Sequence, residues 1–138
     1  MLLYAAEVNF REHARCVELL EEWRSQETAW YLTWGIIYEF LRVSTHPKVF
    51  RTPWDAPKAW TFIDRILTSP ALEVLVETER HRAVAGECIA EVQLLGGNLI
   101  HDAHTAILMR EHGIGVLYTR DTDFHRFPWV EVRDPLKV

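Results

Sequence analysis

Apolar residues recur along this chain in short blocks that alternate between helical and strand spacing. Over residues 13–23, Ala14, Cys16, Val17, Leu20 and Trp23 fall near i, i+3, i+4 and i+7, with Glu18, Glu21, Glu22 and Arg24 between them. That spacing predicts an amphipathic helix. Residues 29–32 read as a short strand, after which Thr33 can cap a helix running to about Thr45, with Ile36, Ile37, Phe40, Leu41 and Val43 as its buried stripe. His46-Pro47 ends that helix, because proline disfavours α geometry in the residue before it. Asp55 is placed to cap the next helix, through about Thr68, with Pro57 in its first turn. A strand follows over 72–76, and Thr78 is expected to open a helix that turns Val84, Ala85, Cys88, Ile89 and Val92 to one side. The alternation predicts an α/β domain with a mostly parallel sheet covered on both faces.

The stretch from Asn98 to Phe127 organises the rest. Leu99, Ala103, Ala106, Ile107 and Met109 keep helical spacing, and Gly113 stands where a left-handed residue would close the helix. Ile114, Val116, Leu117 and Tyr118 form an apolar run of strand type, followed at its carboxyl end by Thr119-Arg120-Asp121-Thr122-Asp123. Ligands bind at that edge of α/β sheets. Phe124 to Phe127 then reads as a helical turn, Pro128 stops it, and 129–132 is a last strand. Taken singly, Asp102 is a carboxylate favoured by the helix macrodipole, while Asp121 and Asp123 are turn residues. Their convergence is a different matter. A helix packed beside its following strand brings its first turn near that strand's end, and three carboxylates gathered there repel one another unless they share a hard cation. Oxygen ligands suit Mg²⁺ or Mn²⁺.

Composition narrows the class without naming a function. The 138 residues fit one domain, 1–138, with a real core, and 49% hydrophobic against 25% charged residues is a soluble globular balance. A net charge of −5 argues against a broad basic face, although Arg42, Lys48, Arg51, Arg80, Arg82, Arg110, Arg120 and Arg126 leave room for a local one. Cys16 and Cys88 fall on apolar helix faces and read as buried reduced thiols, which fits a reducing cytoplasm. No apolar run is long enough to span a bilayer, and the amino terminus lacks a signal peptide's charged leader.

The pieces LLYA near the start, WGIIYEFLRVSTHP, GGNLIHDAHTAILMREHG and YTRDTDFHRFP resemble, in this order, the PIN domain, and in particular the toxin ribonucleases of VapBC toxin–antitoxin pairs. The resemblance covers nearly the whole chain. It implies a three-layer α/β/α fold, with Glu39, Asp102, Asp121 and Asp123 as the family's acidic set. It also implies metal-dependent RNA cleavage, a cognate antitoxin that occludes the site, and a homodimer. In the family LLYA is preceded by a central strand ending in Asp-x-Asn, whose Asp is a metal ligand. This sequence begins at Met1, so that strand and that Asp are missing from it. The expectation is a reading frame that continues upstream, supported by in-frame codons for an apolar run and Asp-x-Asn and refuted by a stop codon.

On this basis the candidate catalytic and metal-binding residues are Glu39, Asp102, Asp121 and Asp123, and Thr119 and Arg120 are candidate substrate contacts. From the residues alone, Glu39 sits close to the apolar stripe of its helix, with pairing to Arg42 as the ordinary alternative. His101 and His104, with His125 and Asp102, offer a zinc site, but no third ligand sits at a recognised spacing, so polar residues at a helix start are the favoured reading. Trp34, Trp54 and Trp129 are candidates for base stacking or a dimer interface, and equally for core packing. The competing functional class is a catalytically impaired PIN-like binding module that sequesters antitoxin or RNA. A phosphoacceptor receiver domain is disfavoured, because Glu39 and Asp102 fall within helices and no lysine follows a late strand.

Overall fold

A computed structural model describes residues 1–137. The chain forms two compact units, Met1–Val74 and a second that starts at Leu75.

The first unit contains α1 (Leu2–Ala6), α2 (His13–Ser25), β1 (Trp30–Thr33), α3 (Trp34–Ser44), α4 (Ala56–Leu67) and all but the last residue of β2 (Leu72–Leu75), and β1 pairs with β2. Its helix starts follow local chemistry. The Thr33 hydroxyl accepts the Ile36 N–H at 3.1 Å, and the Asp55 carboxylate accepts the Lys58 N–H at 2.8 Å. Each cap satisfies a backbone donor that the helix itself leaves unpaired, and each is worth about 1 kcal/mol. Between α3 and α4 the Trp54 N–H donates to the Ser44 carbonyl at 3.0 Å, which folds the loop back on the helix. That loop brings Trp54 edge-on to Phe40 and Phe62, with ring centroids 6.2 and 5.6 Å apart, and Phe50 edge-on to Trp54 at 5.7 Å, while Phe40 and Phe62 stack on each other at 5.1 Å. The aromatic cluster, together with buried Ile37, Ala59 and Ile63, forms the core against which α3 and α4 pack. Trp54 is half-buried against this cluster, whereas Trp34 and Tyr38 lie exposed on α3.

The second unit contains α5 (His81–Glu91), α6 (Leu99–Glu111), β3 (Val116–Tyr118), a 3₁₀ turn (Thr122–Arg126), β4 (Glu131–Arg133) and a terminal 3₁₀ turn (Pro135–Lys137). β3 and β4 are parallel, with Val116 opposite Glu131 and Tyr118 opposite Arg133. The α/β class expected from the alternation holds, with the short strands arranged as two separate pairs. α6 is its central element. Ala103, Thr105, Ala106, Ile107, Leu108, Met109 and Glu111 are all buried, so this helix is enclosed on most of its circumference rather than along one stripe. It ends as expected at Gly113, where φ is +70° and the Gly113 and Ile114 N–H groups return to the carbonyls of Arg110 and Met109 at 3.2 and 2.8 Å. A side chain at Gly113 would strain that left-handed turn.

The core of this unit joins Cys88 and Val92 of α5 to Ala103, Ala106, Ile107 and Met109 of α6, and to Phe124, Phe127 and Val130. Burying one large apolar side chain contributes roughly 1.5–3 kcal/mol, so Phe124 and Phe127 fix the 3₁₀ turn firmly against α6. The Trp129 indole N–H donates to the Ala106 carbonyl at 2.7 Å, and the Arg110 guanidinium lies 4.9 Å over the same ring. Trp129 is held by packing and by this bond. The last strand therefore begins at Glu131, two residues later than its apolar run suggested, because Val130 still turns back to the Phe127 carbonyl.

Candidate functional site

Asp102 and Asp123 each stand next to a core residue. Ala103 and Phe124 belong to the same buried cluster, so packing it brings the first turn of α6 beside the loop that follows β3. Asp102, Asp121 and Asp123 each contribute an oxygen to a group whose ligand atoms all lie within 4.8 Å of one another. Asp102 is half-buried, while Asp121 and Asp123 are exposed. The loop is fixed locally. Asp121 donates its N–H to the Thr119 hydroxyl at 3.1 Å, and its carboxylate accepts the Asp123 N–H at 2.9 Å as the cap of the 3₁₀ turn. Arg126, at the end of that turn, donates to the Gln93 carbonyl at 2.8 Å and anchors it to the end of α5. Capping occupies one oxygen of Asp121 and leaves carboxylate capacity facing the cluster.

A cleft of about 330 Å³ opens beside these acids. It is lined by Thr119, Arg120, Asp121, Thr122, His125, Val132, Asp134 and Lys137. Thr119 and Arg120, singled out in the sequence as substrate contacts, both line it. Arg120 lies 3.7 Å from the Asp134 carboxylate, which holds the guanidinium at the cleft wall. His125, which the sequence marked only as a candidate zinc ligand, adds an imidazole to the lining, and Lys137 adds an ammonium that the sequence did not mark, since it reaches the cleft only through the terminal 3₁₀ turn.

Glu39 belongs to the first unit. It is exposed on α3, and its carboxylate accepts two hydrogen bonds from Arg42, at 2.7 and 3.2 Å. The hydrogen bond and charge of Glu39 raise the Arg42 guanidinium further. Position along the helix suggested a carboxylate near the apolar stripe, but the side chain turns to solvent and takes the arginine three residues on.

A second group of potential ligands assembles in the second unit, which also carries the acidic group. Glu77, His81 and His104 also bring ligand atoms within 4.8 Å of one another. His104 Nε2 is 2.6 Å from the Glu77 carboxylate, and His81 Nδ1 is 2.6 Å from Glu111. Glu111 is buried, and its other oxygen accepts both the Thr78 N–H at 2.6 Å and the Thr78 hydroxyl at 2.5 Å. Burial pushes the Glu111 carboxyl up, but the Thr78 hydroxyl, the His81 ring and the Thr78 N–H outweigh it and hold it at about 2. Glu77 is also lowered, first by its own backbone N–H and then by His104. The combination of His101, His104, His125 and Asp102 considered from spacing does not form. Among the described residues His104 groups instead with Glu77 and His81, residues 27 and 23 positions away along the chain.

The PIN domain family profile matches residues 2–130. This chain belongs to the PIN domain family. This PIN domain is 31% identical over 123 residues to Ribonuclease VapC48 of Mycobacterium tuberculosis, spanning 89% of this chain and 84% of that protein. It is 33% identical over 136 residues to Ribonuclease VapC43 of the same species, spanning 99% and 91%. Among solved structures it matches VapBC2 from Rickettsia felis bound to a DNA fragment from their promoter, with a TM-score of 0.63 over 96% of this chain and 91% of that one. Sequence identity there is 19%, so that match speaks to the fold.

The donor chemistry of the acidic group fits a hard divalent cation, because every ligand it offers is a carboxylate oxygen.

Proposed function

We propose that this PIN domain is the toxin of a toxin–antitoxin pair, an endoribonuclease that uses Mg²⁺ or Mn²⁺ held by Asp102, Asp121 and Asp123. The observation that carries this proposal is the convergence of those carboxylates beside a cleft lined by Thr119, Arg120, His125 and Lys137. Its similarity to VapC ribonucleases supplies the reaction class. When bound, such an ion lowers the pKa of water and neutralises charge on a scissile phosphate.

The chain's own residues supply the rest. Asp102 enters from a helix enclosed by the core, so its position is fixed before any ligand arrives. Asp121 and Asp123 enter from a loop closed by its own cap. Preorganised ligands of this kind avoid the ordering cost that flexible ones incur on binding. Arg120 offers a planar fork of donors to phosphate, the Thr119 hydroxyl a further donor, and Lys137 a mobile point charge. The antitoxin, in this proposal, places a basic side chain among the same acids and excludes RNA. Glu39, which the family resemblance puts in the acidic set and which pairs with Arg42, is tested by its own variant.

The test is cleavage of single-stranded RNA by the purified chain in Mg²⁺ or Mn²⁺. Cleavage that EDTA removes and Asp102→Asn abolishes, with circular dichroism unchanged, supports the proposal. RNA binding with no cleavage under any divalent ion replaces it with the binding-module reading. Glu39→Gln is assayed separately. A loss comparable with that of Asp102→Asn places Glu39 in the reaction, and full activity leaves it as the partner of Arg42.

A further inference from the structure

The side chains around His104 form a second ligand group whose donors differ in kind from the acidic one. Glu77, His81 and His104 present two imidazoles and one carboxylate, with all three ligand atoms within 4.8 Å. We infer that these residues form a binding site for a zinc-class divalent cation, separate from the acidic cluster, with Glu111 as the residue that orients His81.

Several features make this more than a chance grouping. His81 Nδ1 is committed to the buried Glu111 carboxylate at 2.6 Å, which makes Nδ1 the protonated atom and leaves the lone pair on Nε2. A carboxylate behind a ligating imidazole is the arrangement that fixes the tautomer, aims the ring and raises its basicity toward a metal. Glu111 is itself immobilised, its side chain having no exposure and its second oxygen held by Thr78. Opposite His81, the His104 ring lies with its centroid 6.0 Å away and nearly perpendicular, while its Nε2 faces Glu77 at 2.6 Å. Donors around tetrahedral zinc stand about 3.3 Å apart, given bonds of about 2.0–2.1 Å. The Glu77–His104 contact needs to open slightly and the widest pair to close, both within reach of exposed side chains. Glu77 and His104 are exposed to solvent, so an ion can reach the group and water can complete its coordination.

Donor type separates the two sites. Imidazole nitrogen suits zinc and its neighbours and does not suit Mg²⁺, which takes oxygen and keeps its water. Position separates them as well. His104 follows Asp102 by two residues on α6, a rotation of about 200° at 100° per residue, so the two side chains leave opposite sides of the helix. A cation bound by Glu77, His81 and His104 ties the segment before α5 and the first turn of α5 to α6. That clamp would brace the helix that carries Asp102 from the side away from the acids.

The test uses the full, metal-free chain in excess Mg²⁺, titrated with Zn²⁺ by calorimetry and with Co²⁺ by visible absorption. One equivalent should bind, and Co²⁺ should develop the ligand-field bands of a low-symmetry nitrogen and oxygen site. His104→Gln and His81→Asn should each weaken Zn²⁺ binding at least tenfold, with folding checked by circular dichroism. Glu111→Gln should weaken it about 10- to 100-fold, as loss of an orienting carboxylate does. Asp121→Asn should leave it unchanged. If the wild-type chain binds no Zn²⁺, or His104→Gln, whose side chain is exposed and whose loss the fold should tolerate, binds it as tightly as wild type, the inference is overturned and Glu77–His104 is an ordinary ion pair.

Discussion

The two ligand clusters beside α6 are built in opposite ways. In the acidic group the carboxylates are exposed or half-buried, and the loop that carries two of them is held by its own backbone. Behind the Glu77, His81 and His104 group a buried carboxylate, Glu111, holds His81 on one side and Thr78 on the other, while Glu77 and His104 pair at the surface. Carboxylates that face solvent can take up a cation, and the cation in turn can hold a phosphate. A buried carboxylate must be fully hydrogen-bonded, and it serves the fold whether or not an ion is present. The same charge type thus does different work according to its access to water.

The sharpest way to break this comparison is Asp102→Asn. If the acids are the working site, RNA cleavage should fall on the order of a thousandfold, about 4 kcal/mol of transition-state stabilisation, while urea unfolding stays within about 0.5 kcal/mol of wild type. Unchanged cleavage would show that exposure alone does not mark the functional cluster.

Glu111→Gln should do the reverse. The amide keeps the shape but replaces one carboxylate oxygen with an NH₂ and removes the charge, so a donor faces either the Thr78 donors or the His81 N–H, and urea unfolding should show a loss of about 2–3 kcal/mol. Cleavage by the remaining folded protein should be much less affected. The same residue sets a pH signature. Its carboxyl is held at about 2 in the folded chain against an ordinary 4.5, a depressed value. Its stabilising contribution is therefore fully present above pH 4.5 and is lost as pH falls toward 2. Acid titration followed by circular dichroism should show wild type losing stability across that window more steeply than Glu111→Gln.

Why one cluster was legible in the sequence and the other was not follows from where their constraints lie. Asp121 and Asp123 sit in one loop, and Asp102 stands in the first turn of the helix just before it, so element order alone brings them together. Local caps were legible for the same reason: Thr33, Asp55 and Gly113 act on residues a few positions away. The start of α5 was not. Thr78 was expected to open that helix, but its N–H and hydroxyl are drawn to Glu111, 33 residues later, and the helix begins at His81. No local pattern announces such a partner. Glu39 shows the opposite limit, since its angular position near the apolar stripe did not decide which way a long side chain turns once Arg42 was within reach. Spacing groups His104 with His101, His125 and Asp102, whereas its companions in the fold, Glu77 and His81, lie just before and at the start of α5.

The smallest effect sharpens the contrast within the second cluster. Glu77 is nearly half-exposed in its contact with His104, so Glu77→Gln in metal-free protein should change unfolding stability by no more than about 0.5 kcal/mol. A cost approaching that of Glu111→Gln would mean that burial is not what distinguishes the two carboxylates.

The most direct measurement is a calorimetric Mg²⁺ titration of the full chain beside its Asp102→Asn and Asp121→Asn variants. Wild type should bind Mg²⁺, and each variant should lose that binding while remaining folded. Variants that bind as well as wild type, or a wild-type chain that binds no Mg²⁺, would contradict the assignment of Asp102, Asp121 and Asp123 as the metal site.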